Sequence, residues 1–230
     1  MSFPIDRRET ESTVTKQVHS VIFRMLKIID QICQQNQIDY WLDYGTLLGA
    51  IRHKGFIPWD HEADIGMLRS DFLKFKQIIH NTLPSDLFFQ TAETDPFYKS
   101  DEIIEAKIRD RYSCYLDYEA LEWQNGIQVD IFVYDLYNTP YACIINNFEQ
   151  HYSKGNIHLK FDEIEYIVQH EFGGEQFPIP IGYHNYLIRA YGDYMKLPDI
   201  KEQIFPKVDP FSPSNHVESK LWTGPKIQNI

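Results

Sequence analysis

Three carboxylates carry most of the chemical information in this chain. Glu62 and Asp64 stand two apart, and Asp130 comes much later. The first two fall in a segment, 62–67, that reads as a strand. Side chains alternate along a strand, so Glu62 and Asp64 share one face while Ala63, Ile65 and Met67 line the other. Two such charges repel unless a cation or a proton comes between them. Asp130 lies within 127–133, where Ile127, Val129, Ile131 and Val133 are β-branched and apolar. That alternation predicts a strand with one face in the core. Asp130 points the other way, and a charge there is costly unless it has a partner. With the two strands as neighbours, the three carboxylates converge into an all-oxygen site for a hard cation, Mg²⁺ or Mn²⁺. Such an ion bridges the phosphates of a diphosphate donor and stabilises charge on the transferring group. For the Glu-x-Asp pair alone, a solvated strand end is the competing reading.

Groups suited to phosphate surround these acids. Gly45-Thr46, expected where the first strand ends, lets backbone N–H groups approach an anion without a side chain in the way. Arg52, His53 and Lys54 concentrate positive charge in an acidic chain, and Lys107 and Arg109 are spaced to face one phosphate. A plain turn, a solvated loop and a surface ion pair are the respective alternatives.

The elements that must position these residues follow from periodicity. Val14, Val18, Ile22, Leu26, Ile29 and Ile32 recur every three or four residues, which predicts a long amphipathic helix over about 12–36. Short strands are expected at 40–42, 62–67, 87–91, 103–109 and 127–133, with helical turns at 47–51 and 71–79. From 139 onward the chain reads as mostly helical and aromatic, with Pro178 and Pro180 in an extended link. The fold class is α/β (α+β), a small mixed sheet flanked by helices. It is expected as one domain over 1–230, with a core of about 12–138 and a helical C-terminal elaboration of about 139–230. Tyr183, Tyr186, Tyr191 and Tyr194 have helical spacing, so core packing competes with a role lining an acceptor groove or caging an ammonium group.

Composition narrows the classes of function. The chain has 230 residues and is 43% hydrophobic, enough to bury a core. A net charge of −11 argues against nucleic acid, whose binders need a basic footprint. Cys33, Cys114 and Cys143 form no C-x-x-C pair, so neither a zinc ribbon nor a disulfide framework is expected. No apolar run reaches membrane-spanning length and the N-terminus lacks a secretory signal, so a cytoplasmic location is expected. A peripheral encounter with a membrane stays open.

The stretch Trp41-Leu42-Asp43-Tyr44-Gly45-Thr46-Leu47-Leu48-Gly49-Ala50-Ile51-Arg52-His53-Lys54-Gly55-Phe56-Ile57-Pro58-Trp59-Asp60 closely resembles the opening motif of the LicD family. The resemblance continues through the acidic strand, Ala106-Lys107-Ile108-Arg109, Val129-Asp130-Ile131-Phe132, Phe177-Pro178-Ile179-Pro180 and Tyr191-Gly192-Asp193-Tyr194-Met195, ending at Pro198. It implies a nucleotidyltransferase-like fold. It also implies transfer of a phosphorylated small alcohol, such as phosphocholine or ribitol phosphate, from a CDP-linked donor to a glycan or glycolipid hydroxyl. The family's G-T and D-x-D pattern maps onto Gly45, Thr46, Glu62 and Asp64, and its later strand acid onto Asp130. Where the family commonly has D-D-D-x-D, this chain has Asp60-His61-Glu62-Ala63-Asp64, with one charge fewer and a ligand one methylene longer. Nucleotidyl transfer to a small acceptor and a silent glycan-binding module are the rival readings. Asp130 suits either a general base or a third metal ligand.

Overall fold

A computed structural model describes residues 2–95, 98, 103–116, 125–137, 143–154 and 156–213. The long amphipathic helix is α1 (Val14–Asn36), started by Thr13, whose side chain accepts the Lys16 N–H, and ended by Gln37 in the left-handed conformation. Val18, Ile22, Leu26, Ile29 and Ile32 are fully buried along its inner face. The chain then runs through β1 (Trp41–Leu42), α2 (Tyr44–His53), β2 (Ala63–Leu68), α3 (Arg69–Thr82), β3 (Leu87–Gln90), β4 (Ala106–Asp110), β5 (Cys114–Tyr115) and β6 (Gln128–Tyr137).

The main sheet has the order β1-β2-β6-β4-β3. Along this path all neighbours are antiparallel except β2 and β6, which run parallel. The far half of β6 pairs with β7 (Cys143–Asn146), which carries β8 (Leu159–Lys160). One apolar cluster reaches from α1 through the sheet to Tyr186 and Leu187. The mixed α/β class is as the periodicity implied.

Two expectations need correcting. Gly45-Thr46 does not close a strand; it forms the first turn of α2, after Tyr44 turns the chain with a φ of 37°. The C-terminal part is mixed rather than mostly helical. It holds α4 (Asn147–Tyr152) and α5 (Tyr183–Tyr191), but also β7, β8, a hairpin of β9 (Ile167–Phe172) and β10 (Glu175–Pro180), and β11 (Val208–Asp209) against β5. Phe177-Pro178-Ile179-Pro180 is part of β10, in a two-stranded ribbon. Each strand there has a single neighbour, so the donors missing from the prolines can face away from the pairing. Gly173 and Gly174, with φ of 63° and 85°, make the turn a two-residue hairpin requires. The expected boundary at 138/139 lies outside the described residues, as does 214–230.

Candidate active site

The parallel register sets Asp64 of β2 directly beside Asp130 of β6. Oxygens of Glu62, Asp64 and Asp130 all lie within 4.8 Å of one another, and both aspartates are buried. Glu62 precedes β2 and accepts a hydrogen bond from Gln128 Nε2. Asp60 joins them, since a Cβ placed on Gly45 would lie 2.9 Å from Asp60 Oδ2 and 3.4 Å from Asp64 Oδ2. Only glycine lets the backbone of α2 come this close to two carboxylates.

The N-terminus of α2 points at the same place. The Gly45 N–H donates to Asp64 Oδ2 at 3.1 Å, and Thr46 Oγ1 accepts the Asp64 N–H at 2.7 Å. Asp43 caps the helix with no exposure, its carboxylate accepting from the Tyr44 N–H and from the Tyr134 and Tyr186 hydroxyls. Burial pushes Asp43 up to about 6 despite these donors.

The carboxylates carry the electrostatic mark of crowding. Burial, then Glu62, Asp130 and Asp60, raise Asp64 well above the usual carboxylate range. Burial raises Asp130 against the pull of Lys107. Burial and Glu62 push Asp60 up to about 6. A cation at this point would relieve all three effects. The donor set, all carboxylate oxygen and mostly buried, fits Mg²⁺ or Mn²⁺. Among the described residues a second acidic trio, Asp6, Asp86 and Asp110, also converges. There Arg8 bridges Asp6 and Asp110 and Arg24 pairs with Asp86, so arginines already supply the positive charge.

Lys107 and Arg109 are buried rather than a surface pair. Lys107 Nζ donates to both oxygens of Asp130 at 2.8 Å, and is the partner that a charge in mid-strand demands. Arg109 donates to Gln90 Oε1 and to the Gly126 carbonyl. Arg52, His53 and Lys54 end α2, at the opposite end from Gly45 and where helix carbonyls favour cations. None of the three lines the acidic cavity. Arg52 donates to the Tyr194 carbonyl, His53 makes a T-shaped contact with Trp59, and Lys54 lies 3.5 Å from Glu171. His61 packs against Tyr115 and Phe205.

The carboxylates open into a cavity of about 410 Å³ walled by Tyr44, Phe132, Phe148 and Tyr191. The late tyrosines therefore divide. Tyr186 is core, whereas Tyr191 is 41% exposed and lines the site. Asp43 and Phe132 had no separate signal beyond their place in the motifs, although an aspartate just ahead of a helical turn is an N-cap pattern. Asp60 was visible as the first acid of the cluster.

Sheet, helix terminus and clustered carboxylates together describe a nucleotidyltransferase-type site. The family described as LicD/FKTN/FKRP, nucleotidyltransferase domain, matches residues 37–181, and the chain belongs to it as a LicD-type transferase. It is 28% identical over 247 aligned positions to the lipopolysaccharide cholinephosphotransferase LicD of Haemophilus influenzae, covering 80% of this chain and 92% of that protein. A shorter stretch of 41 residues is 44% identical to the ribitol 5-phosphate transferase FKRP of Homo sapiens, covering 18% of this chain and 8% of that protein. A Rickettsia typhi protein of uncharacterised role is 41% identical over 58 residues, 25% of this chain and 19% of its own length.

Proposed function

We propose that the protein transfers a phosphorylated small alcohol, phosphocholine or ribitol phosphate or one similar, from a CDP-linked donor to a glycan or glycolipid hydroxyl, in the cytoplasm. The supporting observation is the meeting of Glu62, Asp64 and Asp130 under the N-terminus of α2. These three residues would hold Mg²⁺ or Mn²⁺, which when bound neutralises the donor diphosphate and the charge developing on it. Gly45 and Thr46 hold Asp64 in place, and Lys107 fixes Asp130. The acceptor hydroxyl oxygen forms a bond to the phosphorus bearing the alcohol, while the bond from that phosphorus to the bridging oxygen breaks and CMP leaves. The hydroxyl proton passes to a carboxylate, with Asp130 the candidate base. The apolar walls of the cavity exclude water that would compete as acceptor.

The test is incubation with a panel of CDP-alcohols and Mg²⁺, with CMP release and the phosphorylated product both measured. CMP release that stops with chelator supports the reading. Release of pyrophosphate from a nucleoside triphosphate, with the nucleotidyl group on the acceptor, would replace it with nucleotidyl transfer. No turnover of any CDP-alcohol would sink it.

A further inference from the structure

A second depression lies beside the acidic cavity and shares Tyr191 with it. It measures about 610 Å³ and is lined by Leu48, Arg52, Trp59, Tyr191, Asp193 and Lys196 among others. Both spaces are lined in part by α2. Tyr44 lines the cavity while Leu48 and Arg52 line the cleft, and residues four apart form one stripe on a helix. Trp59 faces the cleft and the next residue, Asp60, faces the carboxylates.

We infer that this cleft is the acceptor subsite and that it takes an uncharged sugar ring. The inference rests on the transferase reading above and adds the place and chemistry of the acceptor. The floor is apolar, with Leu48 and Ile57 buried. Trp59, steadied by the T-shaped contact with His53 at 6.1 Å between ring centroids, and Tyr191 supply aromatic surface for the C–H face of a pyranose. Arg52, anchored by its 2.9 Å bond to the Tyr194 carbonyl, and the exposed Asp193 offer a donor and an acceptor to hydroxyls. Charge selects against an anionic ring. Arg52 and Lys196 stand among Asp193, Glu202 and Asp199, the last paired with Lys201 at 3.7 Å, so the cleft has no surplus of positive charge to hold a phosphate or uronate.

Size and openness assign the acceptor here rather than the nucleotide. The donor diphosphate has to reach the carboxylates and so fills the smaller cavity. A glycan continues beyond its reacting sugar and needs an open end. Leu197, 53% exposed, lines the cleft and is close in sequence to Met195 and Ile200, 57% and 86% exposed.

Ligand-observed saturation-transfer NMR on the full chain tests this, using a panel of neutral oligosaccharides that includes N-acetylated amino sugars, a uronate-containing set, and CMP. At least one neutral oligosaccharide should give transfer that persists under saturating CMP. That signal should fall at least several-fold in Trp59→Ala and in Asp193→Asn, the latter a rim change that leaves the core untouched. Uronates should give none. Loss of the CMP signal in Trp59→Ala, with normal melting, would make the cleft a nucleotide site and overturn the inference. Oligosaccharide transfer that both variants keep, or none in the wild type, would overturn it too. Absence of CDP-alcohol turnover would sink the transferase reading alone, because the binding measurement needs no turnover.

Discussion

Asp130 is gripped on both oxygens by Lys107, and this pair shapes what substitutions at either residue should do. Asp130→Asn keeps the shape while removing the charge and one of the two acceptors of Lys107, so the protein should lose stability yet still fold. Turnover of the true donor should fall by about 100-fold or more, the range for acid–base groups. Mn²⁺ affinity measured beside turnover separates the roles, since a base leaves it intact and a ligand does not. Lys107→Met strands a buried carboxylate, and chemical denaturation should show a loss of about 3–5 kcal/mol without divalent cation, smaller with it. Glu149 offers a prediction with a pH sign. It is 1% exposed, and burial together with Asp43 pushes it up to about 8 despite the nearby Tyr44 hydroxyl. Between the usual glutamate value and about 8, the folded protein holds a proton that the unfolded chain has lost, so stability falls as pH rises through this window. Glu149→Gln should flatten that fall, read as melting temperature at pH 5.5 and 8.5. At this scale the convergence of the three carboxylates was legible, because alternation alone puts Asp64 and Asp130 on polar strand faces. The partner of Asp130 was not. Lys107 lies across from it in the β4–β6 register, and register depends on tertiary pairing.

Helix α2 does two jobs at its two ends. Its N-terminal turn meets the carboxylates and its C-terminal turn meets the cleft, so residues close in sequence serve different spaces. Arg52, His53 and Lys54 are near the acids in sequence but lie at the far end of α2 from them. Over seven residues a helix climbs roughly 10 Å, which removes them from the Gly45 end. Asp43 anchors the whole element. Asp43→Ala removes the acceptor of two buried tyrosine hydroxyls and a cap, and should cost about 3 kcal/mol or more in denaturation. Gly45→Ala should leave melting nearly unchanged beside that, yet weaken Mn²⁺ binding by displacing Asp60 and Asp64. Equal metal affinity in that variant would show that the close approach is incidental. The β9–β10 hairpin left one signal in the residues, the turn pair Gly173-Gly174. Its prolines obscured it, because Pro within a run argues against a central strand but tolerates a ribbon edge.

Across the whole molecule the acidic site is a stability cost as well as a chemical asset. Asp43 and Asp60 are both pushed up to about 6, so the folded protein binds more protons than the unfolded chain between roughly pH 4 and 6. Protein stripped of divalent cations should therefore melt at a higher temperature at pH 5 than at pH 7.5. Added Mg²⁺ should raise the melting temperature mainly at the higher pH, where the carboxylates are ionised. A flat profile in both conditions would remove the metal from the site. The parallel contact of β2 and β6 also has a consequence for the order of assembly. Lys107 and Asp130 are 23 residues apart, whereas Glu62 must find Gln128 across 66. Closing the longer loop costs about 1 kcal/mol more, so the β4–β6 pair should form first, with Asp130 already neutralised. Docking of β2 then brings the remaining carboxylates against it and meets electrostatic resistance. In stopped-flow refolding this step should be the slow phase. It should quicken when the pH is lowered from 7.5 to 5.5, and again when Mg²⁺ is present from the start.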